Sequence, residues 1–236
     1  MEFVLDNGSV RVTLSTAGGS FTSIKANGRE YLWQGDPSVW SVQAPICFPI
    51  CGGLRDGRAM TMGGREVKLA RHGFARKQEW KLEEQSDNMV ALSLSSADHA
   101  ELLEQYPYPF KIVARYTIDS EKVAVSYEVT NEGTEDMPFF VGGHPGFKCP
   151  LDEGESYDDY ELRFEQREAT ELCTAVPSTG LIDVEHRSKN PMIGQNLPLT
   201  HELFDFAETI FDVLESRVVT LTKKTEDKGV RLTFPD

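Results

Sequence analysis

The 236-residue chain lacks any long apolar run, and its apolar stretches fall far short of the roughly 20 residues that a membrane-spanning helix needs. It also lacks a cluster of basic residues, since 38 acidic residues outnumber 24 basic ones and the formal net charge is −14. Proteins that bind a nucleic-acid backbone normally present a basic face. The composition therefore disfavours nucleic acid and anionic membranes as partners. The N-terminal segment has early acidic residues and no apolar core, so no signal peptide is predicted.

Cysteine is scarce, with four residues at Cys47, Cys51, Cys149 and Cys173. Nothing in the sequence indicates secretion, so we expect reduced thiols in a cytoplasmic protein. Cys47 and Cys51 have C-x3-C spacing without a second pair at zinc-finger spacing, so no structural metal is predicted. The four thiols are expected to be buried apolar groups.

Alternation of apolar and polar residues with a period of two dominates the chain. It predicts strands over 90–94, 112–118 and 123–129, with a hairpin turn at 118–121. Further strand candidates lie at 9–14, 20–24, 65–69, 78–84, 160–165, 217–222 and 230–234.

Helical signals are few. A two-turn helix is predicted over 98–105, with Asp98 as its N-cap, and a shorter turn at 201–205. Many strands and few short helices predict a mainly-β fold, a large antiparallel β-sandwich. Because no repeat or flexible linker interrupts the chain, residues 1–236 are predicted to form a single domain.

Two histidines have unusual neighbours. His72 lies in R-H-G-F-A-R (71–76), where three potentially cationic groups need an anion, a polar ligand or water; a basic surface loop is the alternative. His144 lies in G-G-H-P-G-F (142–147), where glycines permit close approach of the backbone to a ligand; a plain turn is the alternative. Two converging histidines suit general acid–base chemistry near neutral pH. They would also suit a metal, but no clear third ligand accompanies them.

Common catalytic signatures are absent from the sequence: there is no G-x-G-x-x-G, P-loop, H-E-x-x-H or G-x-S-x-G. The segment A-P-I-C-F-P-I-C-G-G-L-R-D-G (44–57), followed by the two histidine motifs in this order, resembles the aldose 1-epimerase (galactose mutarotase-like) family. The likeness covers essentially the whole chain and extends to 18–24, 30–33, 160–165 and 216–221.

This resemblance implies a β-sandwich with an open carbohydrate cleft, which interconverts the α and β anomers of a free hexose without a cofactor. It implies that His144 is the acid at the ring oxygen and that His72 hydrogen-bonds the sugar. Arg76 would contact the sugar, or a phosphate group if the substrate carries one. The expected substrate-binding residues are Arg55, Arg71, Phe74, Arg76 and Phe147. Trp33, Trp40, Phe74 and Phe147 offer apolar surfaces to the sugar, with ordinary core packing as the alternative.

The chain also departs from the family pattern. The catalytic base of the family is a glutamate in an E-P-W-like motif near the C-terminus, and residues 1–236 contain no such motif. The chain is therefore expected to be truncated relative to the family, or to lack the usual base. Gly53 stands where relatives often have arginine, and alternation would let Arg55 substitute for it. Ala207-Glu208 replaces an aspartate, so one sugar contact is expected to be altered.

The sequence supports three hypotheses about the function. The first is an aldose 1-epimerase, an isomerase with a small-molecule aldose as its partner. Its variant is a hexose-6-phosphate 1-epimerase, in which arginines hold the phosphate. The second is a non-catalytic sugar-binding relative. A hydrolase or lyase ranks last, because a glycosidase needs two facing carboxylates and no pair accompanies the histidine motifs. The oligomeric state is not predicted.

Overall fold

Antiparallel strands form most of the chain in the computed structural model, which describes residues 1–205 and 208–234. The chain separates into two compact units, Met1–Gly146 and Phe147–Asp236. Whether they act as the single domain expected for 1–236 stays a prediction. Within the described ranges the longest helix is a five-residue 3₁₀ helix, and none is long and apolar enough to cross a membrane.

The first unit contains twelve strands among its residues. They are β1 (Glu2–Asp6), β2 (Val10–Ser15), β3 (Ser20–Ala26), β4 (Arg29–Glu30), β5 (Ile46–Cys47), β6 (Arg58–Met60), β7 (Glu66–Lys68), β8 (Lys81–Ser86), β9 (Met89–Ser95), β10 (Phe110–Asp119), β11 (Lys122–Asn131) and β12 (Gly142–Gly143). Three 3₁₀ helices lie at Arg55–Gly57, Ala75–Lys77 and Ala100–Glu104.

Two four-stranded antiparallel sheets of the first unit, in the orders β1-β2-β3-β4 and β11-β10-β9-β8, share one hydrophobic core. Alternation explains this arrangement. Val12 and Leu14 of β2 point into the core, while Arg11, on the opposite face of the same strand, is exposed. Phe21 packs edge-on against Tyr116 at 4.6 Å between ring centroids, and the Tyr116 hydroxyl donates to the Gly19 carbonyl at 2.5 Å. The predicted mainly-β sandwich is confirmed.

The second unit forms a sheet in the order β16-β13-β17-β18 and a separate hairpin, β14-β15. Its described strands are β13 (Tyr160–Phe164), β14 (Leu172–Val176), β15 (Leu181–Ser188), β16 (Asn196–Pro198), β17 (Val218–Lys223) and β18 (Gly229–Thr233). Two 3₁₀ helices lie at Tyr157–Asp159 and His201–Phe204, and the latter confirms the turn predicted at 201–205.

The strands predicted over 90–94, 112–118 and 123–129 are confirmed by β9, β10 and β11, and Ser120 makes the turn with a φ of 55°. The predicted helix over 98–105 is wrong in type and in its cap. It is a 3₁₀ helix over Ala100–Glu104 without a side-chain cap. The Asp98 carboxylate instead pairs with Lys81, on the neighbouring strand β8, which removes it from the helix terminus.

Candidate functional site

His72 is fixed by hydrogen bonds to Gly52. The His72 N–H donates to the Gly52 carbonyl at 2.7 Å, and the Gly52 N–H donates to Nδ1 of the His72 ring at 3.0 Å. Since Nδ1 accepts this bond, the neutral ring carries its proton on Nε2. The backbone of His72 is left-handed, with a φ of 65°, a conformation that is uncommon for residues other than glycine.

The loop around His72 runs against the segment that begins at Phe48. The Phe48 N–H donates to the His72 carbonyl, and the Phe48 carbonyl accepts the N–H of Phe74 at 3.0 Å. Phe74 is only 4% exposed and packs edge-on against Phe48. The structure thus places Phe74 in the core, where it supports the loop, and we do not include it among the proposed sugar contacts.

His144 directly follows β12, which pairs with β5 through Gly142–Cys47 and Gly143–Ile46. The His144 N–H donates to the Pro45 carbonyl at 3.1 Å, and its side chain is exposed. The glycines before it have close neighbours: a Cβ on Gly143 would lie 3.2 Å from the Tyr127 hydroxyl. The β5–β12 ladder therefore fixes the backbone that precedes His144, and the imidazole of His144 is exposed.

The structure brings the two predicted histidines together. The ring centroids of His72 and His144 lie 5.3 Å apart with the planes at 73°, an edge-to-face arrangement. The two rings reach this point from two different loops, each tied to the segment 45–52 by backbone hydrogen bonds. An exposed and a partly buried imidazole in contact bring ring nitrogen atoms for proton transfer and hydrogen bonding to one place.

Trp40 completes the group of rings, and the sequence predicted it as an apolar surface for the sugar, with core packing as the alternative. Its indole lies 5.3 Å from the His144 ring. Trp33 holds it by donating Nε1–H to the Trp40 carbonyl at 2.7 Å. A Cβ on Gly146 would lie 2.5 Å from Cζ3 of Trp40. The glycine at 146 is the sequence signal for this contact, because any larger residue would displace the indole.

Three predicted arginines differ in their surroundings. Arg76 belongs to the 3₁₀ helix Ala75–Lys77, and its Nη2 donates to the Arg71 carbonyl at 3.1 Å. Its Nε is buried and, among the described residues, has no hydrogen-bond partner. Arg71 and Arg55 are exposed.

Arg55 does not share a strand face with Gly53, so this prediction is wrong. Residues 52–57 are not a strand: Gly52 has a φ of 90°, and Arg55 starts a 3₁₀ helix in which Asp56 is left-handed. Turn conformations break the period of two on which the expectation rested.

Two further predicted positions belong to the second unit. Phe147 is the first residue of the second unit and is partly buried there. Ala207, part of the expected altered contact, lies outside the described residues, and Glu208 is exposed and not in a strand.

The cysteines correct one prediction. All four are free thiols, but only Cys47 and Cys173 are buried, while Cys51 is exposed and Cys149 is partly buried. A hydrogen bond from the Cys47 thiol lowers the pKa of Cys51 to about 7, and the same bond, with burial, raises the pKa of Cys47. Over residues 1–205 and 208–234, no three His, Cys, Asp or Glu side chains are grouped so as to hold a metal ion.

Comparison with known proteins agrees with this architecture. The aldose 1-epimerase family model matches residues 1–236. The chain is 41% identical over 242 residues to plasmid-encoded protein LacX of Lactococcus lactis subsp. lactis, a match that covers 100% of this chain and 80% of LacX.

Two solved structures extend the comparison to the fold. A galactose mutarotase related enzyme from Lactobacillus acidophilus superposes with a TM-score of 0.85 at 27% identity, covering 95% of this chain and 74% of that one. A galactose mutarotase-like protein from Lactobacillus casei gives a TM-score of 0.81 at 28% identity, covering 96% and 77% of the two chains. The chain belongs to the aldose 1-epimerase family.

Proposed function

We propose that this protein is an aldose 1-epimerase that interconverts the α and β anomers of a free hexose. The observation that carries the proposal is the contact between His72 and His144, whose ring centroids lie 5.3 Å apart. Family membership supplies the reaction class, and the pair of imidazoles supplies groups that can exchange protons near neutral pH.

In the proposed reaction, the exposed His144 donates a proton to the ring oxygen of the sugar. A base takes the proton of the C1 hydroxyl, the C1–O5 bond breaks, and C1 becomes the carbonyl of the open-chain aldose. Rotation about C1–C2 and closure by the reverse proton transfers give the other anomer. General acid and base catalysis each contribute about 10²–10⁴-fold, and acting together they avoid free ionic intermediates.

His72 has a different task. Its Nδ1 accepts the Gly52 N–H, so the one N–H of the neutral ring is on Nε2. A fixed donor of this kind suits a sugar oxygen that gains negative character as the ring opens. We therefore assign His72 as the hydrogen-bond donor and His144 as the acid. No residue is assigned as the base, because residues 1–236 contain no E-P-W-like motif.

Polarimetry of freshly dissolved α-D-glucose and α-D-galactose tests this proposal. Wild-type protein is expected to accelerate the change in rotation, and His144→Ala to lower kcat/KM by about 10²–10⁴-fold. His186→Ala is the matched control, since the His186 side chain is 83% exposed and contacts Asp183 in the second unit. If folded wild-type protein accelerates neither sugar but is stabilised by one of them, it is a sugar-binding relative and not an epimerase.

One observation favours a phosphorylated substrate as the second candidate. The buried Arg76 Nε has no hydrogen-bond partner among the described residues, and Arg71 lies in the same loop. Guanidinium groups suit phosphate because they present paired donors. The measurement is the same assay with glucose 6-phosphate. This candidate predicts that Arg76→Lys lowers the rate for the phosphorylated sugar more than for the free one, and equal losses would contradict it.

A further inference from the structure

Cys47 and Cys51 bring two sulfur atoms together beside Gly142. Cys47 pairs with Gly142 across the β5–β12 ladder, and directly opposed residues in an antiparallel pair project to the same face. Gly142 has no side chain, and a Cβ built on it would lie 3.0 Å from the Cys51 sulfur. The Cys51 thiol therefore occupies the space beside Cys47 that this glycine leaves open.

The two thiols differ in the way that thiol–disulfide exchange requires. Cys51 is exposed, whereas Cys47 is 3% exposed and donates the hydrogen bond that lowers the Cys51 pKa to about 7. Arg76 and Tyr127 are the other titratable or charged side chains that interact with the pair. An accessible thiolate beside a second thiol is the arrangement of reactive rather than structural cysteines.

The cysteine pair adjoins the site along the chain. Cys51 is followed by Gly52, whose N–H and carbonyl both bind His72. We propose that Cys51 and Cys47 form an oxidisable dithiol, a modification site for low-molecular-weight disulfides, and that its closure to a disulfide releases His72 from Gly52. The consequence for catalysis rests on the proposed function, whereas the modification itself does not.

The exchange proceeds in two balanced steps. The Cys51 thiolate attacks one sulfur of the small disulfide, forming a mixed disulfide and expelling one small thiolate. The Cys47 thiol then loses its proton and attacks the Cys51 sulfur, which forms the Cys47–Cys51 bond and expels the second small thiolate. The protein loses two electrons and the small disulfide gains them, yielding two small thiols.

Closure must move residues 51–52. Sulfur atoms in a disulfide are about 2.0 Å apart, well inside the separation of two hydrogen-bonded thiols. Cys47 is held in a buried ladder, so the exposed Cys51 makes most of the movement and carries Gly52 with it. Loss of the Gly52 N–H from Nδ1 removes this constraint on the His72 ring, and misplacing a catalytic group by 1 Å can lower the rate by about 10²-fold.

The test uses the full chain in buffers of oxidised and reduced glutathione, followed by alkylation and tryptic mapping. Glu30–Arg55 contains no internal lysine or arginine, so one peptide carries both Cys47 and Cys51. We expect this peptide to lose two hydrogens on oxidation and to regain two alkylatable thiols with dithiothreitol. Cys51→Ser should abolish the change, while Cys149→Ser, the matched control at a partly buried thiol, should not.

A second readout separates this inference from the proposed function. The His72 imidazole signals in an NMR spectrum, assigned with His72→Asn, should shift when the wild-type disulfide forms, whether or not the protein is an epimerase. If epimerase activity is present, it should fall about 10²-fold on oxidation and return on reduction. A Glu30–Arg55 peptide that stays reduced, or that carries only a glutathione adduct, would overturn the proposal. So would a disulfide that leaves the His72 signals unchanged.

Discussion

The carbonyl oxygen of Phe48 lies where a side chain on Gly73 would begin. A Cβ built on Gly73 would be 2.1 Å from this oxygen, and Gly73 has a φ of 70°. The parallel contact between residues 48 and 73 anchors the loop that carries His72. Residue 73 of the R-H-G-F-A-R motif is therefore a glycine because two backbone segments meet there.

Gly73→Ala should destabilise the first unit by at least about 3 kcal/mol, since the methyl group clashes with backbone and the left-handed conformation adds about 1 kcal/mol. Gly64→Ala is the matched control: Gly64 has a φ of 77° and open space around it, so only the conformational part should remain. Urea unfolding followed by tryptophan fluorescence measures both, because Trp33, Trp40 and Trp80 all lie in the first unit. Equal losses in the two variants would show that the contact at Gly73 is not restrictive.

His72 offers a test of the ring's fixed position. Asparagine tolerates left-handed backbone and its side-chain oxygen can accept the Gly52 N–H, whereas alanine does neither. His72→Ala should therefore lower the free energy of unfolding by about 1–2 kcal/mol more than His72→Asn. Both variants lose the Nε2–H donor, so both should lose epimerase activity. If the two unfold at the same urea concentration, the Gly52 hydrogen bond contributes nothing to stability.

Local patterns predicted what depends on local chemistry. Alternation gave β9, β10 and β11 because their inward residues form the core, and the glycines around His144 signalled an irregular backbone. The β14–β15 hairpin was not predicted. Ile182 and Val184 of β15 are 50% and 62% exposed, so apolar residues do not mark its buried face.

Contacts distant in sequence account for the other differences. The sequence predicts Asp98 as a helix cap, but its carboxylate pairs with Lys81 of β8. The position of Cys51 beside Cys47 depends on Gly142, which pairs with Cys47 in the β5–β12 ladder. Neither relationship has a signature within the segment itself, because side-chain spacing describes only one element at a time.

Gly146 should control the position of Trp40. A methyl group there would lie 2.5 Å from Trp40 Cζ3, so Gly146→Ala must displace the indole, which lies 5.3 Å from the His144 ring. Overpacking of this kind costs about 1–3 kcal/mol, and epimerase activity should fall with it. Gly63→Ala is the control, because its Cβ would have no neighbour closer than 3.8 Å. Unfolding curves and mutarotation rates that match between the two variants would mean that Trp40 does not support His144.

Glu155 should govern the acid stability of the second unit. Lys223 donates to its carboxylate at 2.6 Å, and Tyr160 donates to the other oxygen, which lowers the Glu155 pKa from its usual 4.5 to about 2. A lowered folded-state pKa means that the stabilisation is complete above pH 4.5 and is lost as the pH falls through about 2.

Glu155→Gln should therefore be less stable than the wild type at neutral pH, and the difference should shrink as the pH falls from 4.5 to about 2. Urea unfolding followed by far-ultraviolet circular dichroism across this window measures it. Glu153→Gln, at an exposed residue of the same loop, is the matched control. The proposal is contradicted if the free energy of unfolding of Glu155→Gln stays parallel to that of the wild type down to about pH 2. The Lys223 and Tyr160 contacts would then make no pH-dependent contribution to folding, so they would not hold the carboxylate in its charged form.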